Sequence, residues 1–269
     1  VAPDAGSFEV WTSDTPVTYL QVGPVSGAYS GDISFGALVL EEDAITPLED
    51  ATERSYRYVF DFLDRTGFKE PIRFWNYLTA ITGDEQGVER YRRFNTGRHR
   101  AFMARLNQPV PPAASCLGGE NGVSVIYFLA AREAARAIEN PRQISAYEYP
   151  PIYGPTSPSF SRASAHGPNL FISGTASIVG HETRHHGDVQ AQLAETMENL
   201  RVLAEAAGHL GQPGKWAVKT YLRDPAYWEG VERAVRKLFG ASAEILHLRA
   251  DICRTDLLLE IEACHLPEA

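Results

Sequence analysis

The sequence is poor in cysteine and methionine, with three and two among 269 residues, and it contains no long apolar run. Cys116, Cys253 and Cys264 are odd in number and none has Cys-x-x-Cys spacing, which argues against a disulfide framework or a zinc site. A reducing, cytoplasmic setting is the expectation. No stretch approaches the roughly 18 apolar residues of a membrane span. Basic residues are also outnumbered, 25 Lys and Arg against 34 Asp and Glu, for a net charge of −9. Such a chain has no electrostatic reason to seek nucleic acid or anionic membranes, although a local Arg cluster can still hold a small anion. The start, Val1-Ala2-Pro3-Asp4, lacks an initiator Met, a basic region and an apolar region, so it reads as a fragment rather than a signal peptide. No G-x-G-x-x-G phosphate loop is present.

What is present is a regular alternation of elements. The first thirty residues, with β-formers such as Phe8-Glu9-Val10-Trp11, predict short strands and loops, and Ile33 to Leu40 a strand. Thr46-Pro47-Leu48-Glu49 is a capping box with Pro at the first helical position, predicting a helix to about Arg65 that Gly67 stops. Ile72 to Leu78 reads as a strand, Gly87 to Leu106 as an Arg-rich helix, Gly118-Gly119 as a loop and Val123 to Leu129 as a buried strand. The second half repeats the order. Asn169 to Gly174 is a strand. Asp188 caps a helix whose inward stripe is Val189, Leu193, Met197, Leu200 and Ala204, ending at Gly208. Trp216 to Leu222 is a strand, and Asp224-Pro225 opens a helix with Trp228, Val231, Val235 and Leu238 inward. Ile245 to Leu248 and Leu257 to Ala263 complete it as strands.

Each half therefore reads strand, helix, strand, helix, strand, strand. This predicts an α+β protein of two related units, each a sheet with both helices on one face. Between them runs a Pro- and Tyr-rich segment, Asn140 to Arg162, of the irregular kind that is more often functional than idle. The boundary is placed near its start, giving units 1–145 and 146–269.

The second half resembles the YjgF/RidA fold in Asn169-Leu170-Phe171-Ile172-Ser173-Gly174, Glu198-Asn199-Leu200, Val218-Lys219-Thr220-Tyr221-Leu222-Arg223-Asp224 and Leu259-Glu260-Ile261-Glu262-Ala263. RidA imine deaminases carry a Pro-Ala-Arg element where this chain has Ser242-Ala243-Glu244, which counts against a plain deaminase. Longer motifs look like the chorismatase family. They are Asn140 to Pro150, Tyr153-Gly154-Pro155, Ser157 to Ala163, Gly174 to Glu182, Ala250-Asp251-Ile252-Cys253-Arg254, Phe74-Trp75-Asn76-Tyr77 and Glu89 to Asn95. The resemblance covers nearly the whole chain from about Val10, and family members are typically longer at the N-terminus. It implies two RidA-like domains, the first degenerate, with no cofactor or metal. It also implies removal of pyruvate from chorismate, with formation of 3-hydroxybenzoate, sometimes with 4-hydroxybenzoate, or of a dihydroxycyclohexadiene carboxylate. A noncatalytic RidA-like module that binds a small metabolite is the alternative of a different class. RidA proteins are trimers with sites between subunits. A fused pair can mimic part of that interface, so a monomer and a trimer-like assembly both stay open.

Cleaving an enol ether requires a proton delivered to its terminal carbon, and a carboxylic acid with a raised pKa can deliver it. On a strand, Glu260 and Glu262 share one face opposite Leu259 and Ile261. Composition leaves both on either a solvated or a buried face; the resemblance makes Glu260 the general acid and leaves Glu262 structural. Two substrate carboxylates call for guanidinium forks, and the candidates are Arg93, Arg98, Arg142 and Arg162. Arg254 reads as a strand brace. Tyr149 and Tyr153, with Tyr147, sit among prolines, where they either pack or line a pocket and offer a phenol. Cys253 is inert packing on its own reading. In the resembled family a cysteine near this position accompanies hydroxybenzoate formation through an arene-oxide-like intermediate. His181, His185 and His186 lie near Glu182 and Asp188, but Gly180 and Gly187 predict a loop there, with no metal.

Overall fold

A computed structural model of the chain describes residues 9–43, 45–105, 110–119 and 122–267. Phe8, the residues before it and the expected helix end at Leu106 fall outside these. The first unit runs β1 (Thr18–Val22), β2 (Val25–Ser30), β3 (Ile33–Leu40), α1 (Leu48–Thr66) and β4 (Glu70–Thr79). A small hairpin, β5 (Asp84–Glu85) and β6 (Val88–Glu89), leads into α2 (Arg90–Arg105), β7 (Ala113–Gly119) and β8 (Ser124–Ala131). The second unit runs β9 (Arg136–Ile138), β10 (Ala163–His166), β11 (Asn169–Thr175), the hairpin β12 (Ile178–Val179) and β13 (Glu182–Thr183), then α3 (Val189–Ala206), β14 (Lys215–Leu222), α4 (Trp228–Phe239), β15 (Glu244–Arg249) and β16 (Leu259–Leu266).

The sheet orders are β1-β2-β3-β8-β4-β7 and β9-β10-β11-β16-β14-β15. The two are topologically equivalent strand for strand, and in each only the last pair is parallel, β4 with β7 and β14 with β15. The expected α+β repeat is thus present, and β1 and β2 are the short strands expected in the first thirty residues; the one correction is that the second unit also opens with three strands, not one. The added strands are short, Ala163-Ser164-Ala165-His166 for example, and lack the alternation that marks a half-buried strand. The second sheet begins at β9, ahead of the Pro- and Tyr-rich segment, which itself forms short 3₁₀ turns at Ala146–Glu148 and Pro151–Tyr153.

Helices cover one face of each sheet. Phe60, Phe62, Phe74, Phe102 and Phe128 lie in the core between α1, α2 and the first sheet. Leu193, Leu200, Trp228, Val231 and Val235 fill the equivalent core of the second unit. The opposite faces meet each other through Ile72, Trp75, Leu129 and Phe171, and through Leu117, Ala176, Tyr221, Ile252 and Leu257. Each large apolar side chain buried in this inner layer contributes roughly 1.5–3 kcal/mol to holding the two units together.

Two local expectations are corrected. Thr46 does not cap α1: its hydroxyl donates to Asp43 (2.8 Å), and the free N–H of Leu48 is taken by Glu85 Oε1 (3.3 Å). Glu49 is drawn off by Arg93, so the capping box never closes. Gly118 and Gly119 are strand, not loop, because β7 pairs in parallel with β4 and Gly118 N–H donates to Asp251 O (2.7 Å). The ends set by Gly67, in the left-handed region at φ 78°, and by Asp188, which accepts from Gln190 and Ala191 N–H, are as expected. Where α1 and α2 cross, a Cβ on Gly97 would lie 2.0 Å from the carbonyl oxygen of Glu49. Gly97→Ala should therefore force the helices apart and destabilise the fold by about 3 kcal/mol, read as a lower urea midpoint.

Candidate active site

A cavity of about 310 Å³ lies where α2, β7, the Pro- and Tyr-rich segment, β11 and the loop before β16 converge. Its volume suits a small organic ligand. Six of the eight residues singled out from sequence line it: Glu260, Cys253, Arg98, Arg162, Tyr149 and Tyr153.

Glu260 comes from β16 and is 4% exposed. It can lie against β11 only because residue 174 is glycine: a Cβ there would sit 1.8 Å from Glu260 Oε1. The register of β11 against β16 shifts between Ile172 and Thr175, at this contact. No hydrogen bond reaches the Glu260 carboxyl among the described residues. Burial, then the charge of Glu262, push its pKa up to about 8, against the pull of Arg73 and Arg162. Glu260 is therefore a proton-bearing acid at neutral pH.

Three of the cavity's cations, Arg98, Arg162 and Arg254, have no carboxylate partner, whereas Arg92 pairs with Glu89 (3.3 Å). Arg98 is 2% exposed; its guanidinium lies over the rings of Tyr56, Phe74 and Phe102, and its Nε and Nη2 have no hydrogen-bond partner. Buried guanidinium nitrogens left in this state are an anion site in waiting. Arg162 donates from Nη2 to Ile144 O (2.7 Å) and to Tyr149 Oη (2.8 Å), and its Nε has no partner. The Tyr149 hydroxyl thus accepts from Arg162 and keeps its own proton to donate. Tyr153 differs: its hydroxyl donates to His181 O (2.6 Å), so only its ring serves the cavity.

Arg93 and Arg142, also expected to bind substrate, do not line this cavity. Arg93 chelates Glu49 (2.7 and 2.8 Å) and donates to the backbone oxygen of Glu85, tying α2 to α1 and the β5–β6 hairpin. Arg142 is spent on Asn199 (2.6 Å) and Glu195 (2.5 Å), which fasten the Pro- and Tyr-rich segment to α3. Sequence reasoning undervalued Arg254. It lies 4.1 Å over the Tyr153 ring, donates to His181 O (2.9 Å) and lines the cavity, so it braces and faces the site together. Its place beside Cys253 was the available signal.

Cys253 and Cys116 both line the cavity. Burial, then the charge of Glu260, push the Cys253 thiol up to about 12, so it is a neutral wall and not a thiolate. The three histidines do not converge: His185 faces Glu195 (3.2 Å), His186 faces Asp256 (3.4 Å) and His181 stacks edge-on to Tyr153. Among the described residues no group of three or more His, Cys, Asp or Glu could hold a metal ion, and no helix is long and apolar enough to cross a membrane.

The sign of the pH dependence follows for stability. A carboxyl at 4.5 when unfolded and about 8 when folded binds more protons in the folded state between those values, so stability falls as pH rises through that window. Glu260→Gln should gain thermal stability over the wild type by roughly several degrees at the upper end, the gain vanishing near the lower end, as read by melting curves across pH.

Comparison with known proteins agrees with this geometry over most of the chain. The profile of the chorismatase FkbO/Hyg5-like N-terminal domain matches residues 9–130. The 3-hydroxybenzoate synthase of Streptomyces hygroscopicus is 35% identical over 286 residues, covering 97% of this chain and 82% of that protein. A chorismatase of Streptomyces rapamycinicus is 37% identical over 276 residues, covering 96% and 82%. A crystal structure of a chorismatase superimposes with a TM-score of 0.85 at 33% identity, over 93% of this chain and 80% of that one. With agreement in sequence and in backbone over nearly its full length, the chain belongs to the chorismatase family.

Proposed function

We propose that this protein is a chorismatase that cleaves chorismate into pyruvate and hydroxybenzoate, chiefly the 3-isomer. The observation that carries the reading is a neutral carboxylic acid, Glu260, in a small cavity beside arginines that lack carboxylate partners. Chorismate brings two carboxylates to such a site. Arg98 suits one and Arg162 with Arg254 the other, while the Tyr149 hydroxyl donates to the bound anion. Glu260 transfers its proton to the terminal methylene of the enol ether, and the ether oxygen shares the resulting positive charge. Loss of pyruvate follows.

Two routes diverge there. The ring hydroxyl can displace pyruvate to give an arene-oxide-like species, which opens to hydroxybenzoate with no water consumed. Alternatively, one water adds and the diol leaves. Cys253, neutral and set against Glu260, belongs to the wall that separates these routes; the name of the S. hygroscopicus relative supports the first. The free cysteines suit a reducing cytoplasm.

Incubation with chorismate should release pyruvate and 3-hydroxybenzoate, resolved by chromatography. Folded protein that releases no pyruvate is instead the noncatalytic module; pyruvate with the nonaromatic diol makes it a hydrolase. Glu260→Gln should lower pyruvate release at least about a hundredfold, the range of general acid catalysis, and near-normal turnover would remove Glu260 from the mechanism. Cys253→Ala should change the ratio of ring products more than total pyruvate, measured in the same assay.

A further inference from the structure

Glu260 and Glu262 stand two residues apart on one face of β16, about 7 Å along the strand, yet their surroundings are opposite. Glu262 is 3% exposed and gathers three hydrogen-bond donors and a second cation in the layer between the sheets. Arg73 Nη2 donates to it at 2.8 Å, Trp75 Nε1 at 2.6 Å and Ser115 Oγ at 2.5 Å, and Lys219 Nζ lies 3.2 Å away. The Ser115 hydroxyl is fully engaged: its proton goes to Glu262, and it accepts from Arg73 (2.6 Å) and from Gly174 N–H (2.9 Å). Ser115 and Glu260 crowd the same side of Gly174, yet the hydroxyl has no proton left for Glu260.

Charge is balanced in the same way. Lys219 also pairs with Glu9 at 2.7 Å. The cations Arg73 and Lys219 thus face the anions Glu262 and Glu9, and the cluster is neutral without Glu260. The other titratable or charged groups around Glu260 are Tyr91 and Arg98 of α2, Cys116 of β7, Arg162, Cys253 and, on the neighbouring strand, Tyr221, with Glu89, Arg92, Arg254 and Asp256 also lining the cavity. Of these, the buried arginines are the groups that two substrate carboxylates would neutralise on binding.

We propose that Glu262 is a positioning residue for the reaction: held as a carboxylate by Arg73, Trp75, Ser115 and Lys219, it takes up the donors and cations that would otherwise ionise Glu260, and so keeps Glu260 loaded with the proton it delivers. Two like charges this close in a dry layer do not both ionise readily, and the hydrogen bonds decide which one does. The inference rests on Glu260 being the general acid, but it can fail separately.

The test is the pH dependence of kcat/KM for pyruvate release by Glu262→Gln. Wild-type activity should fall as pH rises through about 8. In the variant, Arg73 and Lys219 lose a counter-charge and act on Glu260, so the midpoint should drop by a unit or more. Activity should then be near normal well below the new midpoint and at least tenfold down at the old one. Lys219→Met added to Glu262→Gln removes the surplus cation and should move the midpoint back up. A uniform loss at every pH with an unmoved midpoint would mean a structural role only and would overturn the proposal. Should the variants fail to fold, isotope-edited infrared spectra of the wild type decide. A carboxylic acid C=O band at neutral pH that disappears in Glu260→Gln supports the proposal, and its absence overturns it. Inactive Glu260→Gln with an unmoved Glu262→Gln midpoint sinks this inference alone; active Glu260→Gln sinks the reading beneath it.

Discussion

The buried ion pair between Arg73 and Glu262 holds the rest in place. It joins β4 of the first unit to β16 of the second across the layer where the sheets face each other, with both side chains almost wholly removed from water. A pair in such surroundings contributes little net stability compared with apolar packing. Removing one partner, however, leaves an uncompensated charge at a cost of about 3–5 kcal/mol. The units are therefore committed to one relative placement. That placement brings α2 and β7 of the first unit against β16 of the second, so the cavity exists only in the assembled pair.

The two units share a topology and divide the labour. The second supplies Glu260, Cys253, Arg162 and Arg254; the first supplies Arg98, Cys116 and Ser115. The first unit is thus not an inert copy of the second. Its helix α2 carries a guanidinium where a continuous apolar stripe would be expected, between Phe94 and Phe102 one turn to either side. Three aromatic rings supply the contacts that water would otherwise make, which lets the charge stay in the wall without a carboxylate.

Glycine has a specific part at two of these contacts. Gly97 lets α1 and α2 cross closely, and Gly174 leaves the space the Glu260 carboxyl occupies. Both roles are about room for another group, not about a left-handed backbone. Neither could be inferred from turn propensity.

The sequence by itself determined the α+β alternation, the inward stripes of α3 and α4, and the sharing of one strand face by Glu260 and Glu262, because these follow from local periods of 3.6 and 2. Family-like motifs pointed to Glu260, Cys253, Tyr149, Tyr153 and Arg162 by position. Only the tertiary structure decided which arginines face the cavity. Arg93 and Arg98 sit on one helix, and Arg142 and Arg162 on one segment; in each pair one is spent on a carboxylate from a distant element and the other has unpaired nitrogens at the site. Which of two equivalent glutamates carries a proton was likewise out of local reach. The donors around Glu262 come from other strands, Lys219 from its sheet neighbour β14, and Arg73, Trp75 and Ser115 from β4 and β7 by the packing of one sheet on the other.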